Sequence, residues 1–171
     1  AAVADAPPGD LRAIAECARS HEATPDSWVN DLTVAVAWSA AYDLPLDELL
    51  TPDGLREAER LATECRPDPA ANPLAMDAAV ASTWDARLEA NSPGHARTDV
   101  PILYLQGTAD AQIPVQTAPA SLARLCAVGD VVDYREIEGA THAGSLYGDD
   151  RVTEARAWLR DRIAGDPATD S

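Results

Sequence analysis

The sequence predicts an α/β protein in which an all-helical segment precedes terminal parallel strands with flanking helices. Two observations predict this class. Residues 100–107 form a nearly continuous apolar run that ends in Gly107-Thr-Ala-Asp110, as a buried parallel strand does before its carboxyl-end loop. A segment with helical spacing, residues 115–128, then leads to a second short strand, residues 131–137. Strand, helix and strand together form one βαβ unit.

The segment before the composition break at about Pro93-Gly94 carries helical patterns separated by proline signals. Asp10 can cap the first helix. Thr51 followed by Pro52 combines an N-cap with proline at the first helical position. The predicted helices here are 10–19, 28–42, a short one within 44–50, 55–64 and 77–90. No strand is predicted before residue 100.

The βαβ unit predicts where two polar residues lie. Its crossover is almost always right-handed and its strands run parallel, so both carboxyl-end loops open on the same edge of the sheet. Asp110 lies in the first loop and His142 in the second. We therefore expect these residues, which are 142 − 110 = 32 positions apart, to come within hydrogen-bond distance.

The two strands differ in what they predict about their neighbours. The first is apolar on both sides, which indicates a strand on each flank. The second carries Asp133, Arg135 and Glu136, which is typical of a sheet edge. The sequence thus predicts the terminal edge of a larger sheet whose preceding strands lie outside the chain.

Asp110 and His142 are the candidate catalytic residues, as two parts of a serine-hydrolase triad. An imidazole can take the proton of a serine and return it to the leaving alcohol, while a carboxylate holds its tautomer and stabilises the imidazolium. Simpler alternatives exist. Asp110 could be a turn residue that caps the helix after Ile113-Pro114, and His142 could serve only the turn Gly139-Ala-Thr-His142-Ala-Gly144.

The nucleophile is the missing part of this triad. A Gly-x-Ser-x-Gly elbow between strand and helix would carry it, and the sequence has none. The nearest imitation, Ala37-Trp-Ser39-Ala-Ala41, lies in a predicted helix. The remaining candidates also lack an elbow: Ser20, Ser27, Ser82, Ser92 and Ser145. We expect the nucleophile and the oxyanion hole to lie upstream of Ala1, and this chain alone to be inactive.

Four motifs together resemble the C-terminal half of an α/β-hydrolase, and more narrowly the secretory lipase family. They are Gly107-Thr-Ala-Asp110 with Ile113-Pro114, Leu125-Cys126-Ala-Val-Gly129, Gly139-Ala-Thr-His142-Ala-Gly144, and Leu46-Asp-Glu-Leu-Leu-Thr51-Pro-Asp-Gly54. The resemblance covers most of the chain. It implies a partial α/β-hydrolase fold with a helical cap or lid over residues 1–95, the C-terminal part of the core over 96–165, and a flexible tail over 166–171.

The resemblance also implies a function. It predicts a secreted carboxylic-ester hydrolase of the lipase or esterase kind, acting in lipid degradation on a small-molecule ester or lipid. The missing N-terminal half of the hydrolase core would be its structural partner. Two alternatives stay open: a serine peptidase or other acyl hydrolase with the same triad, and a non-catalytic module whose helical segment mediates binding.

Composition excludes several other classes. The net charge is −16, with thirteen arginines and no lysine. The chain is therefore not expected to carry the clustered cations with which proteins bind nucleic acid. The sequence has no uncharged apolar stretch of about eighteen residues, so no transmembrane segment is predicted. The sequence also lacks a Gly-x-Gly-x-x-Gly loop, so a hydride-transfer enzyme is not expected. The spacing of histidines and cysteines predicts neither a metal nor another cofactor.

Three cysteines permit one disulfide or none. Cys126 is predicted to be a buried thiol on the apolar side of the crossover helix. Cys17 and Cys65 each lie late in a helical segment, and they are the preferred pair if the compartment is oxidising.

Overall fold

The protein is an α/β protein made of two compact units. The computed structural model describes residues 1–19, 25–61, 63–64, 70–75 and 82–169. One unit contains the sheet and comprises Ala1–Asp10 and Ser92–Ser171, and the other, Leu11–Asn91, is mainly helical. The sheet unit holds both candidate catalytic residues.

The sheet has three parallel strands in the order β1-β2-β3: β1 is Ala2–Asp5, β2 is Ile102–Gly107 and β3 is Val132–Ile137. All six residues of β2 are buried, and the strand has a neighbour on each flank, as its apolar pattern predicts. Gly107 is in register with Ile137, so β2 and β3 end at the same edge of the sheet.

Strand β1 is a correction to the sequence analysis, which predicts no strand before residue 100. The sequence Ala-Val-Ala-Asp is too short to give a period-two signal, and alanine has little intrinsic preference for strands. Its pairing with β2, from Ala2 opposite Ile102 to Asp5 opposite Leu105, makes it a strand. The sequence analysis places all preceding strands outside the chain, but β1 lies within it, and residues 1–10 belong to the sheet unit rather than to the helical segment.

Each face of the sheet is covered by a helix. Helix α5, Ala118–Ala127, follows a 3₁₀ turn at Val115–Thr117, and helix α6 is Asp149–Ala164. Successive side chains of a strand point to opposite faces. Accordingly Leu103 and Leu105 pack with Trp158 of α6, whereas Ile102 and Tyr104 pack with Leu125 of α5.

Cys126 is exposed, so the prediction of a buried thiol on α5 was wrong. The buried positions of this helix are Ala118, Ser121 and Leu125. Cys126 follows Leu125 directly, and one residue along a helix turns a side chain by about 100°. The thiol is therefore rotated away from the face that packs on the sheet.

The chain after α6 continues as coil to residue 169, and the predicted flexible tail begins here, at residue 166. The amide of Asp166 donates to the carbonyl of Asp161 over 3.0 Å, which closes the helix end. Ala168 packs against the cluster that contains Leu103 and Trp158. Residues 170 and 171 lie outside the described residues.

The helical unit contains α1 (Leu11–Arg19), α2 (Pro25–Tyr42), α3 (Pro52–Arg60) and α4 (Ser82–Asn91), with a 3₁₀ turn at Leu46–Glu48. Its core includes Leu32, Leu50 and Trp84. The Thr51 hydroxyl accepts from the amide of Gly54 over 3.0 Å, which confirms the predicted N-cap. The start of the predicted helix 77–90 lies outside the described residues. Among the helices described, none is long and apolar enough to cross a membrane.

Candidate active site

Asp110 lies three residues beyond the end of β2 in a tight turn. Its Oδ1 accepts from the backbone amides of Gln112 over 2.8 Å and Ile113 over 2.9 Å. This is the turn-capping geometry of an aspartate, which fixes the carboxylate from one side. Since the Asp110 side chain is fully buried, these bonds offset part of the cost of taking the carboxylate out of water.

His142 lies five residues beyond the end of β3, in a loop held against the loop of Asp110. The amide of Gly139 donates to the Thr108 hydroxyl over 2.8 Å, and the amide of Ala109 donates to the carbonyl of Ala140 over 3.0 Å. Gly139 has a φ of +69°, a left-handed conformation that glycine adopts without the steric cost of a Cβ. The two carboxyl-end loops are therefore joined by direct hydrogen bonds.

The structure brings the two predicted site residues together. Nδ1 of His142 lies 2.9 Å from Oδ2 of Asp110. A carboxylate can only accept, so Nδ1 carries the proton that lies between them. In the neutral imidazole this leaves Nε2 as a bare acceptor. The His142 side chain is 37% exposed while that of Asp110 is fully buried, so the imidazole is the accessible member of the pair.

The two interpretations of Asp110 are compatible because they use different oxygens. Oδ1 serves the turn, as the simpler alternative proposes, and Oδ2 faces His142. The turn thereby orients the carboxylate toward the imidazole.

Gln106 is a neighbour of this pair that the sequence analysis missed. It is fully buried in β2, and its Nε2 lies 3.3 Å from Oδ2 of Asp110, 2.9 Å from the carbonyl of Ile113 and 3.4 Å from that of Gly107. Three oxygens around one atom require the amide nitrogen there, since a carbonyl oxygen would be repelled. The sequence did show an amide side chain in an otherwise apolar strand. Because buried polar groups need hydrogen-bond partners, this residue could have been predicted to lie next to another polar group.

Of the serines considered as nucleophiles, Ser145 lies in the same loop as His142, but its hydroxyl does not contact the imidazole. Ser39 lies in α2 and its hydroxyl donates to the carbonyl of Leu44 over 2.6 Å, which is a bond at a helix end. The Ser145 hydroxyl donates to the Asp5 carboxylate, and the main-chain oxygen of His142 lies 3.0 Å from the same Oγ. Ser20 lies outside the described residues. His142 Nε2 has no protein partner among the residues described.

No known protein family, characterised protein or solved structure matches this chain.

Two further predictions concern metals and cysteines. Within the described ranges, no group of three or more histidine, cysteine, aspartate or glutamate side chains could hold a metal ion. Cys65 lies outside the described residues, so the Cys17–Cys65 disulfide stays a prediction.

Replacing Gly107 by alanine should weaken the connection between the two loops. A Cβ at this position would lie 2.2 Å from the carbonyl oxygen of Ala140, a backbone atom that moves only with the His142 loop. We expect the free energy of unfolding, measured by urea denaturation, to fall by about 1–3 kcal/mol. Gly144→Ala is the matched control, because the nearest atom to its Cβ would be the Thr141 hydroxyl at 3.2 Å. Equal urea midpoints for Gly107→Ala and wild type would contradict the close approach.

Proposed function

We propose that this chain supplies the acid and the base of a carboxylic-ester hydrolase that uses a Ser-Asp-His triad. The observation that carries the proposal is the hydrogen bond of 2.9 Å between Asp110 Oδ2 and His142 Nδ1 at the shared carboxyl edge of β2 and β3. The order along the chain, aspartate then histidine, is that of an α/β-hydrolase, in which the nucleophile comes first.

The protonation geometry gives each group its role. With its proton on Nδ1, His142 has an unprotonated Nε2 that can accept the hydroxyl proton of a serine as the oxygen attacks an ester carbonyl. The imidazolium then protonates the leaving alcohol, and in the second half-reaction it activates the water that hydrolyses the acyl-enzyme. Asp110 stays ionised throughout and stabilises the imidazolium across the bond from Nδ1.

On this proposal the nucleophile and the oxyanion hole come from outside the 171 residues. Two facts support it: the sequence contains no Gly-x-Ser-x-Gly elbow, and the hydroxyl of Ser145, in the His142 loop, bonds to Asp5 rather than to the imidazole. The helical unit, Leu11–Asn91, would then be the cap segment of the enzyme. Three parts of the proposal rest on the resemblance to secretory lipases: the cap assignment, the preference for esters or lipids over peptides, and the secreted location.

Covalent labelling with a fluorophosphonate tests the proposal. A triad serine attacks the phosphorus, fluoride leaves, and the serine proton passes to His142. The longest protein that the reading frame encodes should be labelled, and peptide mapping should place the label on a serine outside these 171 residues. A label on a serine within the chain would contradict the placement of the nucleophile. A folded protein that takes no label would favour the binding-module alternative.

A further inference from the structure

Ser145 is a fully buried residue in the His142 loop whose hydroxyl has no part in the proposed proton transfers. Its Oγ lies 2.5 Å from Oδ1 of Asp5 and 3.0 Å from the carbonyl oxygen of His142. Asp5 is the last residue of β1. One hydroxyl therefore connects the carboxyl end of β1 to the residue that carries the imidazole.

This contact is the strong kind of hydrogen bond. A hydroxyl that donates to a carboxylate is shorter and about twice as strong as a bond between neutral groups. Ser145 closes the 3₁₀ turn Ala143–Ser145 that directly follows His142. The hydroxyl has a single proton, which it donates to Asp5, the nearer acceptor, and this bond fixes a turn adjacent to the imidazole.

The His142 loop is consequently anchored from two sides. On the β2 side, Gly139 and Ala140 bond to Thr108 and Ala109. On the β1 side, Ser145 supplies the polar anchor to Asp5. The imidazole ring, by contrast, is over a third exposed, and within the described residues it is held by its one bond to Asp110. The position of its reactive nitrogen therefore depends on the loop.

We propose that Ser145 and Asp5 form a positioning pair that holds His142 where its Nε2 can accept the proton of the nucleophilic serine. The inference rests on the proposed function, because positioning matters only if the imidazole transfers a proton. Neither residue is a nucleophile or a proton carrier in this account. A shift of about 1 Å in a catalytic group can lower a rate by about 100-fold, which sets the scale of the expected effect.

Kinetics of the longest protein that the reading frame encodes test the pair, with p-nitrophenyl butyrate as substrate. Ser145→Ala and Asp5→Ala should each lower kcat by about 10- to 100-fold with KM unchanged, and the double variant should lose no more than the worse single variant. Asp5→Asn keeps an acceptor oxygen for the Ser145 hydroxyl, so it should retain most of kcat. Ser121→Ala is the matched control, because it removes a fully buried hydroxyl from α5 in the same unit.

A spectroscopic readout separates positioning from activity. In the 171-residue chain labelled with ¹⁵N-histidine, the Nδ1 proton of His142 should give a resonance that exchanges slowly with water. It should broaden or vanish in Ser145→Ala and Asp5→Ala, and persist in Asp5→Asn and Ser121→Ala.

Unchanged kcat and an unchanged Nδ1 resonance in folded Ser145→Ala would overturn the positioning pair. If Ser145→Ala fails to fold, Asp5→Ala decides the question by the same two readouts. If no form of the wild-type protein hydrolyses the ester, the proposed function fails, and the resonance alone decides whether the pair holds His142.

Discussion

Replacement of His142 by alanine should lower kcat for ester hydrolysis by about 10⁴-fold or more in the longest protein that the reading frame encodes. Loss of the imidazole removes the group that takes the serine proton, and triad members act as a unit, so removal of one costs nearly as much as removal of all. Asp110→Asn should lower kcat by about 10⁴-fold, because an asparagine that presents its amide nitrogen to Nδ1 favours the wrong tautomer of His142. Initial rates with p-nitrophenyl butyrate measure both effects.

The matched control for this prediction is His95→Ala. His95 is an exposed histidine in the same unit, and it has no role in the proposed chemistry. It should leave kcat and KM within about twofold of the wild-type values, an expectation based on the small effects of surface substitutions. If His142→Ala retained a tenth or more of the wild-type kcat, with its fold intact, the imidazole would not be the general base.

Replacement of Asp31 by asparagine should stabilise the helical unit at neutral and alkaline pH. Asp31 lies on α2, its Oδ2 is buried without a hydrogen-bond partner among the described residues, and burial raises its pKa from 3.8 to about 7. A carboxyl group whose pKa is raised on folding binds its proton more tightly in the folded state. Its contribution is therefore fully favourable below about pH 3.8, and stability is lost as pH rises through about 7.

The size and pH dependence of this effect make it measurable. The difference between 3.8 and about 7 corresponds to a free energy of about 4 kcal/mol, of which relaxation around the charge will return a part. We expect Asp31→Asn to raise the free energy of unfolding at pH 8 by about 2–4 kcal/mol more than it does at pH 4. Urea denaturation at both pH values, followed by tryptophan fluorescence, gives the comparison.

An exposed carboxylate of the same unit provides the control. Asp47 lies in the 3₁₀ turn Leu46–Glu48 and faces solvent, so Asp47→Asn should change stability little and nearly equally at both pH values. If Asp31→Asn behaved as Asp47→Asn does, the Asp31 carboxyl would be solvated or paired in solution.

The meeting of Asp110 and His142 was predictable because it follows from topology. Parallel strands joined by a crossover must end at the same edge of a sheet, whatever their side chains are. A buried strand followed by Gly107-Thr-Ala-Asp110 and a glycine-rich turn around His142 were both visible in the sequence. The predicted convergence therefore needed no knowledge of packing.

Other features depend on packing and were not predictable in the same way. Strand β1 has four residues and becomes a strand only through its pairing with β2. The role inferred for Ser145 depends on β1, because its partner is Asp5, which is 140 positions away. Cys126 was misplaced because a shift of one residue in helical phase moves a side chain from the buried face to solvent.

The environments of buried polar side chains also could not be predicted from the sequence. Gln106 was visible as an amide in an apolar strand, but only the fold shows that it faces Asp110. Asp31 precedes the fully buried Leu32, and periodicity alone does not tell which neighbour of a core residue is drawn inward. Side-chain environments of this kind are set by tertiary contacts, which local sequence patterns do not contain.

The most direct test of the central claim is to compare ester hydrolysis by the 171-residue chain with that by the longest protein its reading frame encodes. Each is measured on a short and a long p-nitrophenyl ester, beside its His142→Ala variant. The account predicts activity only in the longer protein, and its loss in the variant. Hydrolysis by the 171-residue chain alone, or a folded longer protein that hydrolyses neither ester, would contradict it.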